Sequence, residues 1–348
     1  QPAEAGEFTK RAFLAGKMTL TQAEAVMDVI GAAGKRELAF AHAQQNGALF
    51  HRVQQISQGI VRSLGDLAAW ADYPEDEIPA VTPESLHAAL QPVLEQLDST
   101  LATYDYGRIL QSGASAVIVG KPNVGKSTLF NLLSGSQRSI VTEIAGTTRD
   151  VVEEQIRLGN VTLRLSDTAG LRETEDVIEQ MGVKIAEERL AQADLILAVF
   201  DTTRPLDEDD RRMLEQLPEK PVIAILNKSD QSAQLDTDEL EPYFSRVITM
   251  AAREGSGLEQ LQQAVEELFY QAEVTPELGI VANARQKQCL EQAREQVQLA
   301  LEALDAGELL DAVTVLLEEA ADALLTLTGE RVSEAVVNDV FSRFCVGK

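Results

Sequence analysis

The stretch Gly120-Lys-Pro-Asn-Val-Gly-Lys126-Ser127 constrains this chain more than any other. It follows the apolar run Ala116-Val-Ile-Val119 and precedes the helix-like Thr128-Leu-Phe-Asn-Leu-Leu133. A GxxxxGK[ST] pattern set between a strand and a helix is a phosphate cradle. Its glycines let backbone N–H groups wrap an anion, and the helix N-terminus adds partial positive charge. Lys126 supplies a point charge to the outer phosphates, and Ser127 a hydroxyl for Mg²⁺. An incidental glycine-rich turn would not carry both flanks. Further short apolar runs lie at 161–165, 195–200, 222–226 and 246–249, with helix-like stretches between most of them. The middle of the chain therefore reads as an α/β domain with a largely parallel sheet.

Both flanks read as helix. Thr21-Gln-Ala-Glu24 fits a capping box, in which hydroxyl and carboxylate satisfy free N–H groups at a helix start. Leu49, Val53, Ile56, Ile60, Leu64, Leu67 and Ala71 recur every three or four residues, on one face of a long helix. Tyr73-Pro74 should end it, and Thr82-Pro83 reads as an N-cap and first helical residue. Beyond about residue 281 the chain is rich in Ala, Leu and Glu, interrupted at Gly307 and Gly329. The expected fold is an α/β P-loop NTPase, a Ras-like G domain, inserted into an all-α helical domain. The expected boundaries are 1–112, 113–273 and 274–348, with Val274-Thr275-Pro276 as the return linker. Two separate helical domains stay open as an alternative.

Composition narrows the setting. The 348 residues carry a formal net charge of −26, which disfavours a broad nucleic-acid-binding face. Two cysteines, Cys289 and Cys345, do not make a disulfide scaffold and fit the reducing cytoplasm. Cys289 lies in no motif, so core packing is its expected role. No run approaches the ~18 apolar residues of a membrane helix. His42, His51 and His87 lack zinc-site spacing. The chain opens on Gln1, which reads as a piece of a longer protein.

Three further motifs follow the phosphate loop in order. Asp167-Thr168-Ala169-Gly170 ends a strand-like run, where a carboxylate can hold Mg²⁺ and a glycine N–H can reach a γ-phosphate. Asn227-Lys228-Ser229-Asp230 ends another. Asp230 can accept two hydrogen bonds from the N1–H and exocyclic amine of guanine. Adenine offers neither donor there, and an unpaired buried carboxylate costs about 1–3 kcal/mol or more. GTP is therefore favoured over ATP. Asn227 should brace the loops, and the Lys228 stem can cover the base. Between them, Gly146-Thr147-Thr148-Arg149-Asp150 offers a Thr for Mg²⁺. Spacing does not settle which; Thr148 is favoured. Such a loop orders with GTP and loosens after hydrolysis. After Gly170 stands Leu171, where Ras-like proteins carry a water-orienting Gln. Another group must position water, and Glu173, Glu175, Asp176 and Glu179 lie just downstream.

These motifs resemble the MnmE (TrmE) family of tRNA-modification GTPases, over nearly the whole chain. The most specific likeness lies outside the nucleotide motifs, in Pro2-Ala-Glu-Ala-Gly-Glu-Phe-Thr-Lys-Arg-Ala-Phe13, Gln22-Ala-Glu-Ala25 and Phe344-Cys345-Val346-Gly347-Lys348. The resemblance implies a G domain inserted in a helical domain, with G domains that pair in a K⁺-dependent way to stimulate hydrolysis. It assigns K⁺ to the Asn123 side chain and to carbonyls of Thr142 and Ile144. It assigns Glu179 to orienting the attacking water, and Arg149 to pairing and to placing Glu179. The nucleotide set becomes Asn123, Val124, Gly125, Lys126, Ser127, Thr128, Thr142, Thr147, Thr148, Asp167, Gly170, Asn227, Lys228, Asp230 and Ala252. Mg²⁺ falls to Ser127, Thr148 and Asp167.

The same resemblance implies a homodimer, tRNA as substrate, an FAD-dependent MnmG-type partner and no membrane. The reaction would install a carboxymethylaminomethyl group at the wobble uridine. Cys345 is either a catalytic thiol, a positional element near a folate pocket, or a buried helix-end cysteine. The family's N-terminal tetrahydrofolate-binding domain has no counterpart here. The family's SA[KR] loop stands as Ala251-Ala252-Arg253, without the Ser hydroxyl but with a backbone N–H expected to meet the base. An Era- or Der-like ribosome-assembly GTPase shares the nucleotide motifs but should add a KH-type domain or a second G domain. A helical scaffold with an inactive G domain is the other alternative.

Overall fold

The computed structural model describes residues 3–32, 34–72, 81–136, 153–166, 190–240, 242–244, 246–269, 275, 279–342 and 344. The chain divides into two compact units. Gln1–Gln111 with Val274–Lys348 form the first, and Ser112–Glu273 the second. The first contains α1 (Glu7–Leu14), α2 (Leu20–Gly31), α3 (Lys35–Gln45), α4 (Ala48–Asp72), α5 (Pro83–Leu101) and α6, which runs over Tyr104–Ser112 to the boundary. The second contains α7 (Lys126–Ser136), α8 (Glu208–Glu215) and α9 (Leu258–Phe269). The first then resumes with α10 (Ala284–Asp305), α11 (Leu310–Thr328) and α12 (Glu334–Ser342). No helix among the described residues is long and apolar enough to cross a membrane.

The helical core forms where apolar faces meet. Leu49, Val53, Ile56, Ile60 and Leu67 of α4 pack with Leu90 and Leu97 of α5, Leu290 and Val297 of α10, and Leu317 and Leu324 of α11. Each such side chain contributes about 1.5–3 kcal/mol when fully buried. The face departs from the sequence reading at two places. Ala71 is exposed, and Ser63 is buried because its hydroxyl donates back to the Gly59 carbonyl at 3.1 Å. That glycine lets α4 and α5 close up, since a Cβ there would lie 2.5 Å from Val93.

Thr82 caps α5 as its sequence suggests, accepting from the Ser85 N–H at 3.2 Å, with Pro83 as first helical residue. The cap of α2 is different from the one expected. Thr19 is the N-cap, and Gln22 returns its side-chain oxygen to the Thr19 N–H at 2.9 Å. Thr21 is buried inside the first turn, and Glu24 is drawn elsewhere. Its carboxylate accepts from Arg285 at 2.8 and 3.0 Å and from Gln286 at 2.9 Å, tying α2 to α10. Arg285 also donates to the carbonyls of Thr326 and Leu327 at the end of α11.

Asp28, later in α2, accepts from the Gln111 amide at 2.9 and 3.0 Å. Burial pushes its carboxyl up to about 6, against the Gln111 bonds and with the help of nearby Glu24. The folded pKa lies above the unfolded value, so the folded state takes up this proton first. The resulting stabilisation is fully present below the unfolded pKa and is lost as pH rises through about 6. Asp28→Asn should therefore be the more stable protein at pH 7. We expect a gain of about 1 kcal/mol, below the full linkage value because Asp28 is only half-buried and solvent screens it. Urea midpoints measured from pH 7 downward should show the gain shrinking towards pH 4; a gain that ignores pH would refute the burial cause.

The second unit is a six-stranded sheet in the order β2-β3-β1-β4-β5-β6. The strands are β1 (Ala114–Val119), β2 (Glu153–Leu158), β3 (Val161–Ser166), β4 (Leu195–Asp201), β5 (Val222–Asn227) and β6 (Val247–Thr249). All neighbours are parallel except β2 and β3. Strand β4 is buried along its whole length, as expected of a central parallel strand. The edge strand β2 is not among the strands read from sequence. Only Ile156 and Leu158 give it an apolar face.

Candidate functional site

Chain order and sheet order disagree at β1, which has β3 on one side and β4 on the other. Connections leave such a strand in opposite directions, and a crevice opens beyond the carboxyl ends. The ends of β1, β4 and β5 carry, in turn, the phosphate loop, Asp201 and Asn227. Asp201 and Asn227 are register partners on adjacent strands.

The phosphate loop has a backbone that few residues tolerate. Gly120 has φ 144°, and a Cβ there would lie 2.5 Å from the Val199 carbonyl of β4. Asn123 has φ 66° and an exposed side chain. Gly125 has φ 105°, and a Cβ on it would lie 2.1 Å from the Asn227 side-chain nitrogen. The loop thus curls tightly enough to aim consecutive N–H groups inward. Lys126, the first residue of α7, lays its ammonium back over the arc and donates to the Gly120 and Lys121 carbonyls at 2.8 and 2.7 Å. Ser127 and Thr128 follow in the exposed first turn, where helix N–H groups lack intrahelical partners.

Asn227 is the brace. It is 3% exposed. Its Nδ2 donates to the Val124 carbonyl at 2.9 Å, and its Oδ1 accepts from the Ala252 N–H at 3.0 Å. One side chain thereby joins the phosphate loop, the end of β5 and the loop after β6. Ala252 is accordingly placed differently from the sequence expectation. Its N–H, reserved there for a base, is used inside the protein by the nearest buried acceptor. Lys228 has φ 66° and turns the chain outward, and Asp230 stands exposed two residues on.

The segment between β4 and α8 carries charges that the sequence reading passed over. Lys228 Nζ lies 2.5 Å from Asp201 Oδ2. Lys121 Nζ lies 2.5 Å from Asp207 Oδ2, and Asp207 is also the N-cap of α8. The Lys121 bond first, then the backbone N–H groups of Asp210 and Asp209, hold the Asp207 carboxyl down to about 2. Arg204 donates to Asp207 and, at 2.7 Å, to the buried Asp210. The signal available in sequence was a lone Asp closing the apolar run of β4, which resembles any strand end.

Of the other residues singled out in sequence, Thr142, Ile144, Thr147, Thr148, Arg149, Asp167, Gly170, Leu171, Glu173, Glu175, Asp176, Glu179 and Cys345 lie outside the described residues. So do Tyr73, Pro74, Val274 and Pro276. Cys289 is buried in the helical core, and burial raises its thiol above the ordinary value.

Comparison with known proteins follows the same lines. A family model described as the MnmE helical domain matches residues 20–345. A tRNA modification GTPase MnmE from Acetivibrio thermocellus is 40% identical over 349 residues, covering 99% of this chain and 76% of that protein. One from Geobacter metallireducens is 40% identical over 351 residues, covering 100% and 76%. Among solved structures, Aquifex aeolicus Era with GDP and aluminium fluoride shares 30% identity over 54% of this chain and 67% of that one. Its TM-score of 0.37 is too low to bear on the fold. The family model spans most of the sequence and the relatives match it end to end, and on that ground the chain belongs to the MnmE family.

Proposed function

We propose that this protein binds GTP with Mg²⁺ and hydrolyses it in the service of tRNA modification. The observation that carries this reading is the Asn227 side chain, bonded at once to the phosphate loop and to the loop after β6. That brace has a use where one ligand spans a phosphate subsite and a base subsite. Family membership supports the same reading.

The residues take these parts. Lys126 and the N–H groups of Val124 to Thr128 hold the phosphates. Asp230 accepts from guanine, and Lys228 covers it. Ser127, Thr148 and Asp167 would hold Mg²⁺; Asn123, Thr142 and Ile144 would hold K⁺. The outward Asn123 side chain and the open first turn of α7 suit those cations. When bound, the two cations offset charge that develops on the phosphates. Thr147 and Gly170 sense the γ-phosphate. Glu179 orients water in place of the amide that Leu171 lacks, and Arg149 places Glu179.

Two G units pair across the nucleotide to complete the site, so the working form is a homodimer. The modification is carboxymethylaminomethylation of the wobble uridine, with an FAD-dependent MnmG-type partner and a tetrahydrofolate derivative. Cys345 belongs to the modification site. Turnover of GTP should be at least about tenfold faster in KCl than in NaCl at equal ionic strength, since Na⁺ fits the oxygen cage poorly. Equal rates in the two salts would overturn the cation-assisted mechanism.

A further inference from the structure

Asp201 closes β4 at the mouth of the crevice and is 8% exposed. A carboxylate so placed needs partners, because an uncompensated buried charge is costly. It has three. Oδ1 accepts from the Thr203 N–H at 2.9 Å and from the Thr203 hydroxyl at 2.7 Å. Those bonds fix the plane of the carboxyl group and leave Oδ2 facing Lys228 Nζ at 2.5 Å. The next residue, Thr202, holds the same β5 end from the backbone side. Its N–H and hydroxyl both donate to the Asn227 carbonyl, at 3.0 and 2.9 Å. Its own carbonyl accepts from the N–H groups of Gln234 and Leu235 beyond the 227–230 loop.

We infer that Asp201 is a positioning residue for base recognition, fixing Lys228 so that the 227–230 loop keeps its binding shape. The inference rests on the reading of Asn227 to Asp230 as the guanine loop. Lys228 carries a positive φ of 66°, which a non-glycine residue adopts at a cost. Something must hold it there, and among the described residues the ion pair with Asp201 is the side-chain contact that can do so. The charge is secure: burial pushes the Asp201 carboxyl up, but the Lys228 and Thr203 bonds outweigh it and leave it below the usual carboxylate range. Two segments distant in sequence thus determine affinity for the base, only one of them bearing a recognition motif. Among the described residues, the Asp201 side chain bonds to Thr203 and Lys228, and to neither the phosphate loop nor α7. Its role should therefore show in nucleotide affinity and leave the chemical step alone.

The test is Asp201→Asn in the full chain, with fluorescent GDP and GTP binding beside steady-state GTPase kinetics. Charge-assisted bonds of this kind are about twice as strong as neutral ones, and losing one should weaken GDP and GTP alike by about tenfold. KM should rise in step, with kcat within about twofold. Wild-type affinity, or a fall in kcat without a rise in KM, overturns the inference. Lys228→Met keeps the stem and removes the ammonium. It should lose affinity by a similar factor, and the double variant should lose no more than either alone. Additive losses count against Asp201 acting through Lys228. Should Asp201→Asn unfold, Lys228→Met decides, and wild-type affinity there ends the proposal. Asp230→Asn separates this inference from the reading beneath it. That change should shift preference from GTP to xanthosine triphosphate, whose added carbonyl accepts where guanine donates. If preference stays with GTP, the guanine-loop reading itself is wrong.

Discussion

Asn227→Ala should lower affinity for GDP and GTP by at least about a hundredfold. Both side-chain hydrogen bonds of Asn227 are made inside the protein. The substitution removes the acceptor of the Ala252 N–H and the donor to the Val124 carbonyl, and both residues are buried. An orphaned buried polar group costs about 1–3 kcal/mol, so two of them reach the 2.7 kcal/mol or so of a hundredfold change. The loss falls on nucleotide affinity because relieving it means letting the loops part. Asn227→Asp is the informative comparison. It keeps the shape and the acceptor but sets a carboxylate oxygen against the Val124 carbonyl, so it should bind as poorly as the alanine variant. Dissociation constants from fluorescent GDP titration would check both. An Asn227→Ala protein within tenfold of wild type would show that the phosphate loop holds its shape unaided.

The second large effect is expected far from the nucleotide. Glu24→Ala should destabilise the helical unit by about 3 kcal/mol, the lower end of the range for breaking a buried pair. Glu24 and Arg285 have side chains only 11% and 20% exposed. Removing the carboxylate strands a guanidinium among α2, α10 and α11, and deprives Gln286 of its acceptor as well. Glu24→Gln keeps the volume and a neutral acceptor, so its loss should be smaller. The chain offers a convenient reporter, because its single tryptophan, Trp70, lies on α4 in this unit. Urea unfolding followed by Trp70 emission should move to lower denaturant in Glu24→Ala. An unmoved midpoint would mean that the α11 carbonyls alone satisfy Arg285.

These two residues also show what sequence could and could not convey. Asn227 was legible because its partners are fixed by the fold class. A motif at the end of a strand, downstream of a phosphate loop, has one place to go in a parallel sheet. Glu24 was misread. Both Thr19-x-x-Gln22 and Thr21-x-x-Glu24 satisfy the pattern of a capping box. The choice between them is made by Arg285, which lies 261 residues away in sequence. Strand β2 escaped for a similar reason. Its apolar signal is two residues long, and pairing with β3 over six positions supplies the rest. Asp201 was invisible because its meaning depends on a neighbour strand being in register. Local patterns recorded backbone preference and burial, while side-chain partners depended on topology.

One close contact carries a topological consequence. Gly107 of α6 is pressed so near the chain returning from the α/β unit that a Cβ would lie 2.1 Å from the Val281 carbonyl. Beside it the Val281 N–H donates to the Thr103 hydroxyl at 3.0 Å, and the Ile280 carbonyl accepts from Gln44 at 2.5 Å. The helical unit therefore grips the outgoing and incoming chain at one spot. In polymer terms the chain is closed on itself between Gly107 and Val281, and the α/β unit lies in the stretch between them. The entropy of closing such a loop grows only with the logarithm of its length, about 0.6 kcal/mol for each doubling. By that scaling, exchanging a connection of about 10 residues for the Ser112–Glu273 stretch is four doublings, a cost of about 2.4 kcal/mol to the helical scaffold.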